Sequence, residues 1–206
     1  MFNFFKRNKK ENLKVNITLE EQIETLCNLG ISFDDYASSS LVENLLFHFE
    51  RECYEENPFI LLLTTIGSDL FDENDKEIRM SKDVWNFDTE FIEDESIYNI
   101  LVRNFVELTQ GDLPLNNIDS RVDFDQEEAS ISFELDGKNY HWPIEFNDDW
   151  FDFELIRILA KQANNRNKSK MFIYFTDGQS LTILYCDKTV FNKLNDLTDN
   201  KFNKLA

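Results

Sequence analysis

The stretch Ala129-Ser130-Ile131-Ser132-Phe133-Glu134-Leu135-Asp136-Gly137-Lys138-Asn139-Tyr140-His141-Trp142-Pro143-Ile144-Glu145-Phe146 decides the fold of this chain. Ala129, Ile131, Phe133 and Leu135 alternate with small or charged residues, the period of two expected of a half-buried strand. Asp136-Gly137 supplies the two positive-φ positions of a type I′ turn. Tyr140, Trp142, Ile144 and Phe146 form the inward set of the returning strand, and Val122 and Phe124 supply a third strand. After Asn147-Asp148 the pattern becomes a helix to about Ala163, with Phe151, Leu155, Ile158 and Leu159 inward. A second hairpin follows, Met171–Phe175 and Leu181–Tyr185 about Asp177-Gly178, then a last helix from Lys188 to Leu197. Helices flanking antiparallel hairpins predict an α+β fold, the hairpins forming a sheet packed by helices.

The N-terminal half reads as helical at first. Thr18-Leu19-Glu20-Glu21 is a capping box opening a helix to about Leu29, closed by Gly30. A second box, Ser40-Leu41-Val42-Glu43, opens a helix whose buried face is Val42, Leu45, Leu46, Phe49 and Cys53. Pro58 ends it. The apolar run Phe59–Ile66 predicts a buried strand, being short, rich in Thr and Ile, and bounded by Pro and Gly. Asp72-Glu73-Asn74-Asp75 reads as a turn, with strand around Ile78–Phe87. Ser96 starts a helix with Ile97, Ile100, Leu101, Phe105 and Leu108 on one face, stopped at Gly111. The expected organisation is a polar leader over 1–16 and one α+β domain over 17–206, with a helical lobe over 17–57. No internal repeat or low-complexity tract is present.

Charge is unevenly placed. The net charge is −19, yet residues 15–160 hold 8 Lys and Arg against 35 Asp and Glu, or −27, while each end carries +4. That field repels nucleic acid and anionic lipid and attracts cationic partners. Twenty Phe exclude a disordered acidic tail. The start, Met-Phe-Asn-Phe-Phe-Lys-Arg, puts apolar residues before basic ones, the reverse of a secretory signal, and no stretch approaches membrane-spanning length. Cys27, Cys53 and Cys186 form no CxxC pair and read as buried free thiols of a cytoplasmic protein.

The candidate contacts are carboxylates. Asp148, Asp149 and Asp152, beside Trp150 and Phe151, would anchor Arg or Lys through charged hydrogen bonds and cation–π stacking. The same residues have structural uses: Asp148 as helix cap, Asp149 and Asp152 near the positive helix end, Trp150 and Phe151 in the core. Replacing Asp149 and Asp152 with Lys is expected to slow association and leave the fold intact. Asp72, Glu73 and Asp75 form a second acidic patch, with Glu77 and with Glu90, Glu93, Asp94 and Glu95 further on. Lys76 at a would-be ligand position and the lack of a following Gly argue against a calcium loop. Asp123, Asp125, Glu127 and Glu128 are of the type that holds magnesium or does acid–base work, but such pairs arise by chance in so acidic a chain. His48 and His141 each stand alone, outside any metal pattern, and read as structural. No GxSxG, P-loop or GxGxxG occurs. No enzyme, cofactor or metal is expected.

From Val122 to Leu197 the chain resembles the C-terminal part of immunity proteins that accompany bacterial polymorphic toxins. The alternating hairpin, the Asp148-Asp149-Trp150-Phe151-Asp152 stretch opening a helix, the aromatic strand before Asp177-Gly178-Gln179 and the last helix carry the resemblance. It implies a cytoplasmic protein that binds one cognate basic toxin domain and blocks it, without catalytic residues of its own. The alternatives are an acidic secretion chaperone or adaptor for a basic effector, a carboxylate-based metal-dependent hydrolase, and a DNA mimic.

Overall fold

The computed structural model describes residues 17–33, 38–72 and 75–206, with the side chains of 38–40 excepted; the leader lies outside the described residues. Helix α1 (Leu19–Asn28) opens with the expected capping box: the Thr18 hydroxyl accepts from Glu21 N at 3.3 Å, and the Glu21 carboxylate accepts from Thr18 N at 2.9 Å. Three more helices follow, α2 (Ser38–His48), α3 (Arg51–Glu56) and α4 (Ile60–Gly67). The single helix expected through Cys53 is broken, because Glu50 adopts an extended backbone and starts α3. Leu41 and Leu45 are buried, while Leu46, Phe49 and Cys53 are exposed. The Ser40 side chain of the expected box lies outside the described residues.

The run Phe59–Ile66 is a helix, not a strand. A segment buried all round carries no period to tell the two apart. Its start is anchored by a side chain from α1. Gln22, fully buried, accepts the Phe59 N–H through Oε1 at 2.8 Å and donates from Nε2 to the carbonyls of Tyr54 and Ile17 at 3.0 and 3.2 Å. The hydroxyl of Thr65 bonds back to Leu61 O, and that of Ser68 to Thr64 O, which accommodates them at the helix end. Gly67 is required where α4 crosses the sheet: a Cβ there would lie 2.8 Å from Val84 Cγ1 and 3.0 Å from Asn86 N.

Strands β1 (Leu70–Phe71) and β2 (Glu77–Ile78) pair with each other around the expected turn. The strand expected over Ile78–Phe87 is therefore two: β2, and β3 (Val84–Asp88), which joins a different sheet. Helix α5 (Ile97–Glu107) leads to a three-stranded antiparallel meander, β4 (Asn116–Asp123), β5 (Glu128–Leu135) and β6 (Lys138–Ile144). On α5, Ile100 is 51% exposed and Tyr98 and Val102 are buried, so the packed face is rotated from the expected one. The β5–β6 turn has φ of 53° at Asp136 and 72° at Gly137, as its residues require. Helix α6 (Phe153–Arg166), strands β7 (Lys170–Asp177) and β8 (Ser180–Asp187), helix α7 (Lys188–Leu197) and the short β9 (Asn203–Lys204) complete the chain.

The second hairpin occupies the centre. The sheet order is β3-β8-β7-β9, and both its faces are buried. Phe172, Leu181, Ile183, Tyr185 and Trp85 point to one core, shared with α5, α6 and the inner face of the meander. Ile173, Phe175, Leu184 and Val84 point to the other, shared with α1–α4 and α7. This is an α+β fold with sheets packed by helices. Among the described residues no helix is long and apolar enough to cross a membrane. Cys27 and Cys53 are exposed, contrary to expectation, and Cys186 is half-buried.

Candidate protein-docking site

The loops after β3 and β6 run antiparallel to each other: Ile92 N donates to Asp149 O at 2.9 Å, and Phe151 N to Thr89 O at 3.1 Å. That pairing, with a bridge between Glu90 and Trp150, fixes the alternation of side chains. Phe151 enters the core against Phe87, ring centroids 5.4 Å apart. Trp150 therefore faces outward and is 40% exposed, so it is not the core residue its size suggested. Asp148 has a φ of +56° and sits in the turn. It does not cap the helix.

Asp152 is the cap of α6. Its Oδ1 accepts from Glu154 N at 2.8 Å and its Oδ2 from Glu145 N at 3.1 Å, so both carboxylate oxygens are engaged. Its own N–H donates to the Tyr98 hydroxyl at 3.0 Å. Burial pushes the Tyr98 phenol up to about 12. With both oxygens holding backbone N–H groups, Asp152 has a structural role that the expectation of a tolerated Lys did not include. Asp148 and Asp149 keep carboxylates outside any ion pair among the described residues.

A third acidic segment joins these two. Val122 N donates to Glu95 O at 3.1 Å, which places the β4–β5 turn beside the loop after β3. Phe124, 42% exposed, packs edge-on against Phe146 at 6.0 Å. Ser96 is the N-cap residue of α5, as expected, though its side chain makes no capping bond; in the turn before it Asp94 Oδ1 accepts from Ser96 N at 2.7 Å. Segments 88–95, 123–128 and 145–154 together hold 14 Asp and Glu and no Lys or Arg. Among the described residues, cations pair with these segments at their margin: Arg121 on Asp123 and Arg157 on Glu154, each at 2.9 Å, and Lys161 on Glu154 at 3.9 Å. Separate in sequence, these segments are brought together by the pairing of strand ends.

Asp72 and Asp75 belong elsewhere, in the turn of the β1–β2 hairpin. There Lys76 N donates to Asp72 Oδ1 at 3.0 Å, and Asp75 N to Asp72 O at 3.0 Å. Glu73 lies outside the described residues.

On the outer face of the meander, Asp119, Ser132 and His141 share one cross-strand row above a concavity of about 640 Å³. Ser132 Oγ lies 2.9 Å from His141 Nδ1. For nucleophilic catalysis the carboxylate should orient the imidazole, yet Asp119 flanks the serine instead. Ser132 also sits in mid-strand, where main-chain N–H groups are committed to the sheet and offer no oxyanion hole. Among the described residues no group of three or more His, Cys, Asp or Glu is placed to hold a metal. His48 is half-buried, and burial lowers its pKa.

Comparison of the chain with family models, with curated proteins and with solved structures gives no match. The candidate site combines segments of one charge sign with two exposed aromatic rings, Trp150 and Phe124.

Proposed function

We propose that this is an immunity protein of the cytoplasm that binds and neutralises a cognate basic bacterial toxin domain by acidic surface complementarity. One observation supports the reading: segments 88–95, 123–128 and 145–154, without a Lys or Arg among them, are tied together by the Ile92–Asp149 and Val122–Glu95 backbone bonds and the Phe124–Phe146 contact. Charge of one sign steers an oppositely charged protein to the surface, and the aromatic rings supply the short-range contact that retains it. Asp148, Asp149 and Trp150 are the contacts; Asp152 positions them. The protein's role is stoichiometric, with no reaction of its own.

The test is affinity purification of the tagged full chain from its native host, with identification of what accompanies it. A basic toxin domain recovered in equal amount, whose toxicity the chain suppresses, is the expected result. Recovery of nucleic acid, or of secretion components with an untoxic effector, would overturn the reading.

A further inference from the structure

The junction of α2 and α3 exposes three large apolar side chains within four residues: Leu46 at 37%, Phe47 at 61% and Phe49 at 43%. Because α2 turns Leu41 and Leu45 into the core, Phe47 points away, roughly 200° round the helix from Leu45. Scattered exposed apolar residues need no explanation, but three together mark a surface that something covers. The chemistry around them indicates what. Between residues 41 and 57 there are five carboxylates, Glu43, Glu50, Glu52, Glu55 and Glu56, and Arg51 is the sole Lys or Arg. Arg51 is already engaged, 2.7 Å from Glu20 and 4.0 Å from Glu55.

We propose that this junction docks a cationic amphipathic helix of a protein partner. Its apolar face would lie over Leu46, Phe47 and Phe49, and its Lys or Arg residues would face Glu43, Glu50 and Glu52. A second copy of the chain fits poorly, since a two-fold contact would set these carboxylates against themselves. The face belongs to the layer of α1–α4, across the four-stranded sheet from the core beneath Trp150. It is a separate surface, and the inference holds whether or not the toxin-binding reading does.

The test uses the full chain and a labelled helical Leu/Lys peptide of about five turns, followed by fluorescence anisotropy at low and high salt. Phe47→Ser with Phe49→Ser should weaken binding by at least about tenfold, with an unchanged circular dichroism spectrum. Glu43→Lys with Glu50→Lys should also weaken it and flatten its salt dependence, whereas Trp150→Ala should leave it unchanged. Equal affinity for the double Phe variant would overturn the proposal. So would sedimentation showing a wild-type dimer that the Phe substitutions dissociate, which assigns the face to a second copy. Binding that appears only after residues 1–16 are removed would assign it to the chain's own leader, with the same consequence.

Discussion

The hydroxyl of Tyr98 accepts the backbone N–H of Asp152 at 3.0 Å, joining the first turn of α5 to the cap of α6. This bond ties the loop that carries Asp148, Asp149 and Trp150 to α5. Tyr98→Phe leaves that N–H without its partner and should cost about 1–2 kcal/mol in a denaturant titration. Asp152→Ala removes the acceptor of two further N–H groups and should cost about as much or more. An unchanged midpoint for both variants would show that the loop is held by other contacts.

Asp148→Lys with Asp149→Lys should slow association with a basic partner by about tenfold at low salt, and the difference should shrink as salt rises. Trp150→Ala should act on dissociation instead, because a short-range contact does not steer encounter. Stopped-flow mixing at several ionic strengths separates the two effects. A Lys pair without effect on association would remove this end of the molecule from the interface.

Gly67→Ala should destabilise the fold by about 1–3 kcal/mol, although Ala is the better helix former, because its Cβ meets Val84 and the Asn86 backbone. Thermal melting measures the loss. A gain in Tm would mean that α4 can slide on β3.

Burial raises both the Tyr98 and the Tyr54 phenols to about 12. A neutral phenol held above its unfolded pKa, near 10, contributes stability below pH 10 and loses it as pH climbs toward 12. Unfolding should therefore grow steadily easier above pH 10, and phenolate absorbance should rise together with loss of helix. Early phenolate signal from all six tyrosines in a folded protein would contradict the packing.

Thiol labelling should find two fast cysteines and one slow. Cys27 and Cys53 are exposed, whereas burial pushes Cys186 up to about 12 and starves it of thiolate. Three equal rates would place Cys186 nearer the surface than its strand allows.

The parts of this fold legible in the sequence are those whose signal is local. The Thr18 box, the Asp136-Gly137 turn and the alternation of β5 each depend on residues within a few positions of one another. Phe59–Ile66 failed because a largely buried run carries no period, and the Phe59 N–H just before its helix is held by Gln22, 37 residues upstream. The α2 face failed because α2 turns Leu41 and Leu45 inward, which leaves Leu46 outside, and ends at His48, which leaves Phe49 beyond the helix. At the candidate docking site, the composition of the 148–152 stretch was legible, but the engagement of Asp152 was not. Its partners include Glu145, seven residues back, and Tyr98, 54 residues back.

In the β7–β8 hairpin, neighbouring residues serve different tenants. On β7, Phe172 faces one core and Ile173 the next, and on β8 Ile183 and Leu184 divide the same way. The hairpin is a party wall whose parity is fixed by the two-residue repeat of the strand. A substitution here disturbs one side alone. A single inserted residue between Phe172 and Ile173 would offer each side the side chains shaped for the other, so the wall tolerates change of identity far better than change of length.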